Sequence, residues 1–227
     1  MQVVAALSLL NGVTAALAPV TPAQSVSGKA FGAFVRGPGG TQQSALAVLP
    51  AVAMADGAMT DGDADGLSVP GTITTEGLTG NTSGSIGDAA AAQSVATAFN
   101  VNLLNGLITA SSLTATVSST SNGARATSNA LGSTFGDLVV NGVSVTSGDG
   151  AIAPNTRMNL PGVGYVVLNE QLPTGDGVRS SGLTVNLIHV VLQSLTGGGC
   201  TLLGCLPGVL TTTGEIIVGS AGSSAAM

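Results

Sequence analysis

Asp61, Asp63 and Asp65, at alternate positions and followed by Gly66, are the sharpest chemical signal in the chain. Carboxylates at positions one, three and five, with glycine at six for the turn, are what a hard, oxygen-seeking cation such as calcium requires of a loop. Leu67, at position seven, would add its backbone carbonyl. Position twelve is Thr72, where a bidentate Glu is expected, so Asp56 or Glu76 would have to complete the sphere from outside. The competing reading is a solvated acidic turn whose carboxylates repel unless a cation or water separates them. Calcium is the one cofactor this sequence points to.

Two cysteines, Cys200 and Cys205, stand inside Gly-Gly-Gly-Cys-Thr-Leu-Leu-Gly-Cys-Leu-Pro-Gly. With no His beside them, zinc is a poor fit. In an oxidising compartment the pair is expected to close a short disulfide loop, the alternative being two free buried thiols.

Catalytic chemistry finds little support. His189 is the only histidine and lies in the apolar run Leu183–Leu192, where it reads as structural rather than as a general base. Paired carboxylates for glycoside hydrolysis would have to come from Asp137, Glu170 or Glu215; Asp137 and Glu170 flank likely strands and read better as turn or surface residues. The aromatic platforms of a sugar site are nearly missing: Tyr165 is the sole Tyr and Trp is absent. There is no Gly-x-Ser-x-Gly elbow and no Gly-rich phosphate loop with a Lys. Lys29, the sole lysine, could form an amide with an Asn if buried beside an acid; an exposed lysine at a strand start is the plainer reading.

The framework expected to carry these groups is all-β. Hydrophobic periodicity runs mostly at two, and Asn-Gly between apolar residues recurs at Asn11-Gly12, Asn105-Gly106 and Asn141-Gly142, the strongest short-range hairpin signal. A two-residue turn at Asn141-Gly142 pairs Val140 with Val143 and Leu138 with Val145. The same turn at Asn105-Gly106 puts Phe99, Val101, Leu103, Ile108 and Ala110 on one face. Further strands are expected at Lys29–Val35, Ala45–Leu49, Leu113–Val117, Gly164–Leu168, Leu183–Leu192 and Glu215–Val218. Helical character is confined to Asp88–Ala98, whose Ala run either favours helix or simply leads into the following strand.

The 227 residues are read as one β-rich domain, 1–227, with an apolar N-terminal strand segment at 1–28 and a Gly/Asp-rich loop region at 56–88. Residues 1–28 carry no charge and no basic n-region, so they are expected to belong to the fold, any targeting signal having been removed. Charged residues are 7%, far below the roughly 25% of an ordinary soluble domain. Aromatic residues are 2%, so the core has to be Ala, Val, Leu and Ile. A net charge of −6 with one Lys and no basic patch argues against a nucleic-acid partner. No membrane span is expected, because the N-terminal apolar stretch is interrupted by Ser8, Asn11, Gly12 and Thr14. So few charges leave little protection from association, which points to homotypic assembly.

The order of several motifs then carries a resemblance. Val101-Asn102-Leu103-Leu104-Asn105-Gly106 is followed by Phe135-Gly136-Asp137-Leu138-Val139-Val140-Asn141-Gly142 and by Pro154-Asn155-Thr156. Next come Leu160-Pro161-Gly162-Val163-Gly164-Tyr165-Val166-Val167-Leu168-Asn169-Glu170-Gln171 and Leu183-Thr184-Val185-Asn186-Leu187-Ile188-His189-Val190, and Gly214-Glu215-Ile216-Ile217-Val218-Gly219-Ser220-Ala221 closes the series. In this order, over roughly residues 95 to 222, the chain resembles the choice-of-anchor P family of bacterial surface proteins. The resemblance implies export and surface exposure, with no catalytic residues to carry over.

The expected fold is an antiparallel β-sandwich or jelly roll. The expected function is that of a secreted, cell-surface structural protein that is a homo-oligomer or polymer, not an enzyme. Assembly is expected by β-strand addition, with charge-free Val3–Leu17 as donor. The runner-up is a secreted module that binds carbohydrate, ice or a mineral through a flat Thr/Ser face such as Thr109–Thr120. A secreted hydrolase comes third.

Overall fold

The computed structural model describes residues 24–52, 57–197, 199–201, 204–206 and 208–227. The donor segment Val3–Leu17 and the Asn11-Gly12 turn lie outside them. In chain order the strands are β1 (Ser25–Gly37), β2 (Gly40–Ser44), β3 (Ala47–Val52), β4 (Ala58–Val69), β5 (Ile73–Ile86) and β6 (Ala90–Leu103). Then come β7 (Ile108–Ser121), β8 (Ala126–Asn129), β9 (Thr134–Gly136), β10 (Val139–Val140), β11 (Val143–Ser144) and β12 (Asp149–Gly150). β13 (Thr156–Leu160), β14 (Gly164–Gly175), β15 (Ser180–Thr196), β16 (Gly199–Thr201), β17 (Gly204–Leu206) and β18 (Val209–Ala226) complete the set.

Two antiparallel sheets pack face to face, an all-β sandwich as the period-two pattern requires. Sheet A runs β13-β14-β15-β18-β1-β2, with β3 also on β1; sheet B runs β11-β10-β7-β6-β5-β4, with β8 and β9 on β7. Among the described residues there is no helix, and none is therefore long and apolar enough to cross a membrane. The Ala run expected to favour helix is β6: Ala90, Ala92, Ala96 and Ala98 alternate into the core, and that burial outweighs the intrinsic helix preference of alanine.

The core is aliphatic, as the composition demands, with Phe135 the largest fully buried side chain. The sheets approach closely because many inward positions are small. A Cβ on Gly28 would strike Thr82 Oγ1, and one on Gly80 would strike the Ala45 carbonyl. Two serine hydroxyls buried in this region are matched: Ser94 Oγ donates to the Gly222 carbonyl (2.7 Å) and Ser119 Oγ to the Ser223 carbonyl (3.0 Å).

The segment expected as a Gly/Asp-rich loop at 56–88 is instead the long hairpin β4–β5, joined by a short turn and paired from Ala58↔Gly84 to Val69↔Ile73. Glycine is tolerated there because Gly62, Gly66, Gly80 and Gly84 sit where a side chain would strike the facing layer or the neighbouring strand. The Asn141-Gly142 turn has positive φ at both residues and pairs Val140 with Val143, as expected. Leu138 and Val140 are buried, whereas Val143 lies on the sheet edge and is 59% exposed.

Both sheets break their alternation along a transverse line. In β6 the buried set changes from Ala96 and Ala98 to Val101 and Leu103; in β7 it changes from Ile108 and Ala110 to Leu113 and Ala115. β5 switches at Gly77, which adopts φ +59, and Asn100 of β6 has φ +49. Phe99, expected inward with Val101, is thereby turned outward and is 45% exposed. An alanine at Gly77 would enter the left-handed region against the Phe99 ring, 3.2 Å away. Gly77→Ala is expected to cost about 1–2 kcal/mol, read as a lower urea midpoint, while Gly39→Ala, in open space, leaves the midpoint nearly unchanged.

Candidate functional site

The switch in sheet A builds the most chemically dense patch of the molecule. In each of four neighbouring strands two consecutive residues turn inward, so the residues flanking them, three apart, share the outward side. The outward pairs are Val167 and Glu170 on β14, Asn186 and His189 on β15, Ile217 and Ser220 on β18, and Phe31 and Phe34 on β1. Register aligns them, with Glu170↔Asn186↔Ser220↔Phe31 along one row and Val167↔His189↔Ile217↔Phe34 along the next.

Hydrogen bonds join the polar members. Ser220 Oγ donates to Asn186 Oδ1 (2.7 Å), Asn186 Nδ2 donates to Glu170 Oε2 (2.7 Å), and His189 Nδ1 lies 2.9 Å from the same carboxylate oxygen. On the other side of the ring, His189 Nε2 is 3.7 Å from Glu215 Oε2, and Glu215 in turn pairs with Arg36 at 3.2 Å. The imidazole is thus held between two carboxylates. The hydrogen bond from His189 holds the Glu170 carboxyl below its usual range, with burial opposing and Asn186 assisting. The bond to Glu170 raises the His189 pKa against the opposing effect of burial, and the charges of Glu170 and Glu215 add to the rise. His189 is thus tied into the polar network of this face through Glu170 on one side and Glu215 on the other. Among the described residues none accepts or donates a hydrogen bond at Nε2, so no hydroxyl is placed to be activated as a nucleophile.

Beside this cluster lies an open cleft of about 300 Å³, lined by Lys29, Phe31, Phe34, Asn186, Glu215 and Ser220 among others. The Phe31 and Phe34 rings meet at 6.2 Å and 57°. Lys29 is exposed, its Nζ 5.5 Å from the Phe31 ring centre, so the burial that an amide crosslink would need is not present. Glu170, read from the sequence as a turn or surface residue, and Glu215 are brought to one imidazole. Asp137 is not with them: it sits at the far side of sheet B, its carboxyl held low by the Gly148 N–H and the Ser111 hydroxyl.

The aspartate triplet does not form the expected cage. Asp61, Asp63 and Asp65 occupy alternate exposed positions of the extended strand β4, with neighbours about 7 Å apart. Leu67 lies beyond the switch and packs against the core, its N–H donating to Thr75 Oγ1 (3.0 Å). No group of three or more potential metal ligands converges among the described residues. The reason is the pairing of β4 with β5, which keeps the chain extended where a calcium loop must curl. β4 is the long open edge of sheet B, and outward carboxylates on such an edge oppose pairing with a foreign strand. The disulfide expected between Cys200 and Cys205 concerns side chains outside the described set; the backbone pairs the two residues directly across β16 and β17.

The outward face of sheet B reproduces the expected hydroxyl surface. Asp63, Thr79, Thr97, Thr114 and Thr134 lie in one register row, and the Thr79 and Thr97 hydroxyls bond at 2.6 Å. Six carboxylates stand on this side: Asp61, Asp63, Asp65, Glu76, Asp137 and Asp149. No family model matches the chain, and neither a curated protein nor a solved structure matches it.

Proposed function

We propose that the protein is a secreted structural component of a bacterial surface that associates with copies of itself and performs no catalysis. The observation that carries this reading is the amount of large apolar surface left in water by a chain so poor in charge. Leu131 is 80% exposed, Met59 69%, Leu195 67% and Val209 and Leu210 63% each. A second support is the state of the acid–base cluster around His189: the imidazole lies between two carboxylates and, among the described residues, faces no nucleophile. Strand addition, the mode expected from the sequence, needs an open edge. The edges here are blunted by the acidic row on β4, by Pro50 in β3 and by the brevity of β11 and β13, which favours association through faces. Sedimentation velocity with negative-stain microscopy over a hundredfold concentration range tests the reading. Particles that grow with concentration are expected; monomer at every concentration overturns it.

A second reading, a module that binds carbohydrate, ice or mineral, is favoured by the register row of threonines on sheet B. A protein that remains monomeric yet pellets with a polysaccharide or slows ice recrystallisation would replace the first reading with this one.

A further inference from the structure

The two broad faces of the sandwich carry opposite charge. Sheet B presents its six carboxylates outward with no Lys or Arg among them in the described residues. The outward face of sheet A holds three of the five basic residues, Lys29, Arg36 and Arg157, against the two carboxylates Glu170 and Glu215, with His189 between those two. The other two arginines, Arg125 and Arg179, lie in turns at one end of the sandwich and belong to neither face. A molecule with a net charge of −6 is therefore strongly dipolar across its thickness.

From this asymmetry we infer that copies stack face on face, the acidic hydroxyl face of sheet B seating on the Lys/Arg/Phe face of sheet A of the next copy. The inference rests on the self-association proposed above and supplies its mode. Several features fit a second copy as the occupant. The four long strands of sheet B, at about 4.8 Å by about 45 Å each, span on the order of 900 Å², enough for the ~800 Å² per partner of a stable interface. Their outward side chains are mostly Ser and Thr, which allow close approach, and the exposed Phe99, with Met59 on the edge strand, would meet Phe34 and Ile217. The contact joins two different surfaces on opposite sides of the subunit, so it does not close on itself and propagates as a linear stack. Sheets packing about 10 Å apart within and between subunits would give an axial repeat of about 20 Å.

Two charge-reversed proteins test the stacking. One carries Lys29→Glu and Arg157→Glu on face A; the other carries Asp61→Lys, Asp63→Lys and Asp65→Lys on face B. For the wild type, raising NaCl from 20 to 500 mM should weaken association at least tenfold, since the attraction between faces is screened. Each variant alone should associate at least tenfold more weakly than wild type. An equimolar mixture should regain assembly, because each variant then offers the face its partner lacks; that regain also shows both variants to be folded. Assembly unaffected by salt and by reversal, or a mixture that stays dispersed, overturns the stacking while leaving self-association standing. A wild type that is monomeric in 20 mM salt overturns self-association itself.

Discussion

Phe135→Ala should lose about 3–5 kcal/mol of folding stability, the largest effect of any single truncation in the core. The ring is fully buried and sits on the three-residue strand β9. That strand is pinned on one side to β7 through Ser112↔Gly136, Leu113↔Phe135 and Thr114↔Thr134, and on the other to β12 through Gly150↔Phe135. With the backbone held on both sides, the layer cannot collapse into the space the ring leaves, and the rest of the core offers only aliphatics to fill it. Phe99→Ala, at a position 45% exposed, should cost under about 1 kcal/mol. Urea titration of both variants measures the contrast. Equal losses would mean that Phe135 does not anchor the core.

Glu170→Ala should be the most damaging change on the outer face, at about 2–4 kcal/mol, because it orphans two donors at once. Asn186 Nδ2 and His189 Nδ1 both lose their acceptor in a half-buried setting, and the imidazole is left facing Glu215 alone. The same cluster imposes a pH dependence. The His189 pKa is raised on folding, so its stabilisation is complete below its ordinary value of 6.5 and disappears as pH climbs through the raised folded value. The Glu170 pKa is lowered, so its stabilisation is complete above its ordinary value of 4.5 and disappears as pH falls through the lowered folded value. Both contributions are whole between pH 4.5 and 6.5. The wild type should therefore have a higher urea midpoint at pH 5.5 than at pH 9, by an amount worth about 1 kcal/mol after solvent screening of a partly exposed pair. His189→Gln should flatten that alkaline limb. An alkaline limb equally steep in the variant would assign it to other groups.

Much of this fold is legible in the amino-acid order. Period-two burial, the Asn141-Gly142 turn and the strands at Lys29–Val35 and Leu183–Leu192 follow from local pattern and turn chemistry. The acidic triplet misled because a loop and a strand can carry the same alternating aspartates; only pairing with β5 decides between them. The polar cluster escaped a period-two reading for a related cause. In Asn186-Leu187-Ile188-His189 two consecutive aliphatics separate two polar residues, and the same spacing recurs in Phe31-Gly32-Ala33-Phe34 and Ile217-Val218-Gly219-Ser220. Each is a small break in alternation when seen singly. Their alignment into one outward patch depends on register between strands distant in the chain, which no local pattern contains.

The pairing of β1 with β18 also has a mechanical side. Ser25 lies opposite Ala226, and ten further pairs follow in antiparallel register to Arg36↔Glu215. Tension applied between Ser25 and Ala226 would load these pairs one after another, as a zipper is opened, and would meet little resistance. Tension applied between Gly37 and Ala226, at opposite ends of the ladder, would load them all together in shear. The sandwich is therefore soft along one axis of pull and stiff along another.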